Sequence, residues 1–147
     1  MPFESLATLC SGLFAGASLY INLVEHPARL QCGTAVAIAE FAPSYQRAAV
    51  MQATLAVLGF FSATAAWFSG SSLYWLIGGL LLGAVVPFTF LAIFPTNKQL
   101  LDPSLDKESA RANDLLQQWG RLHAVRSALS LASFVIFLWL LSGGGKM

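Results

Sequence analysis

Charge is what this chain has least of. Only 10% of its 147 residues are Asp, Glu, Lys or Arg, and the formal net charge is +1. That balance supplies neither a basic field for nucleic acid nor an acidic tail, so no nucleic-acid partner is expected. Cysteine is scarce too. Cys10 lies inside the first apolar run and Cys32 after it, so the two suggest no disulfide, match no metal-ligand spacing and read as buried small hydrophobes. The sequence has no Gly-rich phosphate loop, no HExxH, no paired CxxC, no nucleophile elbow and no EF-hand pattern. These gaps argue against ATP-driven transport and zinc hydrolysis, and no metal or cofactor is expected. The absence of an evident inverted repeat argues against a secondary transporter.

Apolar residues are what is abundant. They make up 56% of the chain, and the mean hydropathy is +0.67, too apolar for a soluble domain of this length. Four runs have the ~20 residues that a spanning helix needs, at about 5–24, 48–69, 73–94 and 122–141. None alternates as a strand would. The first run carries Glu4 and no Lys or Arg at its start, so it reads as a retained span rather than a signal peptide. The expected fold is all-α: an integral membrane four-helix bundle forming a single domain over residues 1–147. The fourth helix is expected to start at a cap on Asp102 or Ser104 and to extend beyond the membrane on the cytoplasmic side.

Arg29, Arg47, Lys98, Lys107, Arg111, Arg121 and Arg126 border the two long connections, whereas Lys146 alone lies on the side of the termini and the short "SGSS" turn. The positive-inside rule places residues 25–47 and 95–121 in the cytoplasm and both termini outside, in a plasma or inner membrane. Small residues four apart (Gly12 and Gly16, Gly59 and Ala63, Gly79 and Gly83, Ala128 and Ala132) predict close helix crossings. Such faces are also compatible with a homo-oligomer.

The polar residues within the spans form stripes. Ser11, Ala15, Ser18, Asn22, Glu25 and Arg29 share one face of the first helix; Tyr45, Ala49, Gln52, Ala56 and Gly59 share one of the second. Trp119, His123, Arg126, Ser130 and Ser133 share a face of the fourth. Thr89, Thr96 and Asn97 fall at the same end of the third, near Pro87, which kinks a helix and frees a carbonyl around Gly83. Polar groups at such depth pair or face a cavity. A polar pocket open toward the cytoplasm is the expectation, with a Glu25–Arg126 ion pair joining "EHPAR" to "LHAVR". The plainer readings are that Arg29, Arg47 and Arg121 are snorkelling anchors, that the four tryptophans form interfacial belts, and that Pro27 ends the first helix, making His26 a helix-end group.

"LVEHPA", "PSYQRAAVMQ", "PFTFLAIFPTNKQL" and "WGRLHAVR", in this order across nearly the whole chain, resemble the anthrone-oxygenase-like family of small four-span membrane proteins, a domain of unknown function in most members. Some fungal members oxygenate an anthrone to an anthraquinone. The resemblance implies a cofactor-independent monooxygenase acting on an apolar aromatic small molecule from the bilayer, with membrane lipids as its other partners. An anthrone's acidic methylene needs a base, and the resulting oxyanion needs donors. His123 is the candidate base and Arg126 its catalytic companion, with Asn97 and Gln52 as further donors. Asn22, Glu25, His26, Tyr45, Thr89 and Trp119 complete the candidate binding set, and Phe88 is expected in the pocket wall. Two other readings stay open: a haem carrier ligated by His26 and His123, and a noncatalytic protein whose polar stripes lock helix packing or which binds a partner through the fourth helix.

Overall fold

The computed structural model describes residues 2–144 and is helical almost throughout. Four helices are long and apolar enough to cross a membrane: α1 Pro2–Gln31, α2 Thr34–Phe68, α3 Leu73–Leu100 and α4 Ala110–Gly144. The chain is a multi-pass membrane protein built as an all-α four-helix bundle. No strand occurs among the described residues. Lys146, the lone cation counted on the side of the termini, lies outside them.

The first connection is much shorter than the charge pattern implied. Residues 25–47 form no loop; α1 and α2 both extend through that stretch and meet at a tight turn, where Gly33 takes φ 93°. Pro27 does not end α1. It lies just past the π turn, inside the continuous α1, where it removes one backbone hydrogen bond without ending the helix. Pro43 likewise sits inside α2 and removes only one backbone bond from a 35-residue helix. Ser109, not Asp102 or Ser104, caps α4, its hydroxyl accepting from the Ala112 N–H at 3.1 Å. Asp102 instead binds the backbone N–H and hydroxyl of Ser104 at 2.8 and 2.7 Å in the preceding turn, and these bonds hold its carboxylate below the usual range.

Two helices change register. α1 widens into a π turn at Ile21–Glu25, and α3 breaks at Ala84 beside Pro87 before a second π turn at Thr89–Ile93. Each π turn inserts an extra residue and rotates the helix beyond it about its axis. The inward position on α1 therefore passes from Asn22 to His26 rather than to Glu25.

Close crossings coincide with the small residues, though not at every predicted pair. A Cβ on Gly59 would sit 2.5 Å from Leu82, and one on Gly79 would sit 2.8 Å from Ala63. Gly12 faces Phe134 in the same way, but Gly16 has open space beside it. Ala128 and Ala132 are exposed, and α4 packs instead through buried Ser127, Ser130 and Ser133. The hydroxyl of Ser133 donates to the Gly78 carbonyl at 2.7 Å and accepts from Ser11 at 3.2 Å, tying three helices together.

Candidate active site

At the end of the bundle remote from the termini, Phe41, Ile93, Leu116 and Trp119 form an apolar cluster. The tryptophans form no simple belt, since Trp119 is buried here and Trp75 is buried in a stack on Phe137 at the other end. The Trp119 indole packs against both imidazoles, 5.1 Å from His26 and 4.7 Å from His123 between ring centroids. Its N–H donates to Asn97 Oδ1 at 2.8 Å.

His123 is 2% exposed, and its tautomer is set by its neighbours. Asn22 Nδ2 donates to the Gly120 carbonyl at 3.1 Å, which directs Asn22 Oδ1 at His123 Nδ1, 2.7 Å away. An amide oxygen only accepts, so Nδ1 carries the proton and Nε2 keeps its lone pair. The Ser127 hydroxyl also donates to Asn22 Oδ1, at 2.5 Å. Nε2 has no hydrogen-bond partner among the described residues. His123 lines a cavity of about 20 Å³ that it shares with Tyr45, Gln52, Asn97, Trp119 and Arg126. That volume holds roughly one water-sized molecule.

The polar atoms around this cavity are short of acceptors. Arg126 donates through Nη2 to Gln52 Oε1 at 2.7 Å, while Gln52 Nε2, Asn97 Nδ2 and Arg126 Nε are buried without a hydrogen-bond partner. Gln52 and Asn97 are each 1% exposed. Buried donors in folded proteins are nearly always satisfied, so these three atoms, on residues that line the His123 cavity, are exceptions among the described residues. The guanidinium of Arg126 lies 5.4 Å from the Phe14 ring centroid.

Glu25 does not pair with Arg126. It forms an ion pair with Arg29, one turn along α1, and accepts from Ser44 of α2; Arg29 Nε lies 2.7 Å from Glu40. The π turn explains the difference, because it carries Glu25 off the face toward α4 and leaves Gln52 as the acceptor nearest Arg126. Arg29 is no snorkelling anchor: it is 6% exposed and lines the His123 cavity with Ser44. Arg47 and Arg121 are exposed, as anchors would be.

Of the sequence-derived set, His123, Arg126, Gln52, Asn97, Tyr45 and Trp119 share one cavity, and Asn22 stands behind His123. Thr89 lines a neighbouring cavity, its hydroxyl donating to the Val85 carbonyl at 2.6 Å. Phe88 packs against the apolar cluster rather than lining either cavity. His26 is set back, its Nε2 3.0 Å from the Leu116 carbonyl. Among the described residues no three His, Cys, Asp or Glu side chains are grouped to hold a metal. Both thiols are free, and Cys32 is exposed rather than buried. Sequence reasoning missed Ser44, Glu40 and Ser127. Glu40 and Ser44 are one helical turn apart, a spacing that reveals a pair only once a partner helix is known.

A family model described as anthrone oxygenase matches residues 41–136. Anthrone oxygenase tpcL of Aspergillus fumigatus is 27% identical over 145 residues, covering 92% of this chain and 90% of that protein. An anthrone oxygenase of Claviceps purpurea is 27% identical over 154 residues, covering 95% and 88%. No solved structure matches the chain.

Proposed function

Because the chain belongs to the anthrone oxygenase family, we propose that it is a membrane oxygenase that oxidises an acidic methylene of a flat apolar aromatic substrate, with His123 as the base. The observation that carries this reading is the pairing of an oriented imidazole with unpartnered donors. Asn22 fixes the proton on Nδ1, and Gln52 Nε2, Asn97 Nδ2 and Arg126 Nε stand unsatisfied on the same cavity.

The chemistry needs no more than these groups. Nε2 takes a proton from the methylene, and the carbanion delocalises onto the ring carbonyl, whose oxygen becomes an enolate held by the unpartnered donors. Dioxygen takes an electron from this enolate and then combines at carbon, giving a peroxide that recovers the proton from His123. Loss of the second methylene proton with cleavage of the O–O bond leaves a new carbonyl and one water. Substrate plus dioxygen thus balances ketone plus water, without an external reductant. The buried donors act where little water competes, so their effect on a developing oxyanion is larger than in solution.

The test is oxygen uptake by the purified protein with a panel of anthrone-like and quinol-like substrates, comparing wild type with His123→Ala. We expect uptake with at least one anthrone-like substrate and its loss in the variant while the fold is retained. Unchanged uptake in His123→Ala removes the imidazole from the mechanism. No uptake with any substrate returns the protein to a noncatalytic role in which the polar stripes lock packing.

A further inference from the structure

Three adjoining cavities grade from polar to apolar. The inner one, about 20 Å³, lies beside His123; the next, about 140 Å³, shares Tyr45, Ala49, Gln52 and Arg126 with it. The outer one, about 430 Å³, shares Ala56 and Val86 with the second, and every residue lining it is apolar. It lies between α2 and the broken part of α3, with exposed Val57, Phe61 and Leu80 in its walls. These residues belong to spanning segments, so the mouth opens sideways onto lipid.

We propose that this series is a lateral entry corridor, through which a flat aromatic molecule leaves the bilayer between α2 and α3 and approaches the cavity beside His123. The identity of the occupant rests on the oxygenase reading above. The walls and the inner end select for it separately. The outer walls offer no polar partner, so a hydrated or charged molecule would lose its water shell for nothing. The inner cavity is lined by Gln52 and Asn97, whose buried N–H groups lack partners, so an occupant bearing an acceptor gains hydrogen bonds there. The Arg126–Gln52 bond belongs to the wall common to the two inner cavities, and an incoming oxygen can replace Gln52 Oε1 as the acceptor of Arg126.

Local backbone chemistry keeps the passage open. Pro87 removes a backbone hydrogen bond where α3 breaks at Ala84, so α3 does not close straight against α2. At Gly83 the two helices instead pack closely, since a Cβ there would stand 3.0 Å from the Phe60 ring. On another side of the inner cavity, Arg29 is held by Glu25 and Glu40, so that wall is a fixed ion-paired cluster.

The experiment measures binding of 1,8-dihydroxyanthraquinone, a flat tricycle already oxidised and so independent of turnover, to the protein in lipid nanodiscs. Quenching of tryptophan fluorescence reports its arrival, since Trp119 lines the inner cavity. Val86→Phe narrows the junction of the outer cavities and is expected to weaken binding at least ~10-fold, an apparent loss of about 1.4 kcal/mol. Val57→Cys in a Cys32→Ser background keeps folding out of the question, because the exposed mouth is capped with N-cyclohexylmaleimide after the protein has folded. Capping is expected to slow probe association at least ~10-fold, a rise of about 1.4 kcal/mol in the entry barrier. Probe binding that is absent in wild type, or unchanged in both Val86→Phe and the capped protein, overturns the corridor. The oxygenase reading fails separately: binding lost in Val86→Phe without oxygen uptake by wild type supports the corridor alone. Uptake at the full rate in both obstructed proteins overturns the corridor and leaves the oxygenase standing.

Discussion

Asn22→Leu isolates the orientation of the base from its presence. Leucine keeps roughly the volume of asparagine and deletes the amide, which makes three bonds: to the Gly120 carbonyl at 3.1 Å, from His123 Nδ1 at 2.7 Å and from Ser127 at 2.5 Å. Their loss is unequal. The Gly120 carbonyl lies in an unbroken stretch of helix and keeps its intrahelical partner. Ser127 has a second acceptor in the His123 carbonyl at 3.4 Å. Only the Nδ1–H is orphaned, and one buried unsatisfied donor costs about 1–3 kcal/mol. The imidazolium formed when Nε2 takes a proton from substrate then has no acceptor for its Nδ1–H, and nothing holds the ring in the orientation that presents Nε2. General-base catalysis contributes about 10²–10⁴-fold, so kcat for oxygen uptake is expected to fall at least ~10²-fold with little change in KM, while thermal stability falls modestly. Asn22→Asp offers Nδ1–H a carboxylate acceptor and is expected to recover much of the rate. Asn22→Leu with kcat within about twofold of wild type, or Asn22→Asp no faster than Asn22→Leu, would refute the tautomer argument.

Two further expectations concern the packing and the membrane. Gly120→Ala places a Cβ 2.7 Å from His26 Nε2, in a ring already engaged by the Leu116 carbonyl and Trp119. Overpacking of this kind costs about 1–3 kcal/mol, and an unchanged thermal midpoint in detergent would show that His26 moves aside freely. Reporter fusions at Met147 and within residues 102–109 are expected to read outside and cytoplasmic respectively, from the seven-to-one distribution of Lys and Arg. A cytoplasmic reading at Met147 would reverse that orientation.

The solvent, the number of helices and most of the residues that line the candidate cavity were legible along the chain. Composition and run length settle these because a hydrocarbon core demands about 20 apolar residues per crossing and tolerates buried polar groups only where they have partners. Gln52, Asn97, Trp119, His123 and Arg126 were legible for that reason, as costly residues at one depth on three helices. Tertiary structure decided who meets whom. Straight-helix spacing put Glu25 on the face toward α4 and paired it with Arg126. The π turn at Ile21–Glu25 adds a residue, turns His26 inward and leaves Glu25 to Arg29 and Ser44. Hydrophobic periodicity does not report such a turn, although each of the two mid-helix π turns ends two residues before a proline, Pro27 or Pro95. Trp119 was likewise legible as an amphipathic ring but not as the neighbour of both histidines. Its depth in the bundle depends on where Phe41 of α2 packs, and that contact joins residues far apart in the chain. The tautomer of His123 is the furthest from the sequence: it depends on an asparagine 101 positions away whose own direction is set by the Gly120 carbonyl. Hydrogen-bond direction is a property of three-dimensional neighbours, so no reading of residue types along a chain can supply it.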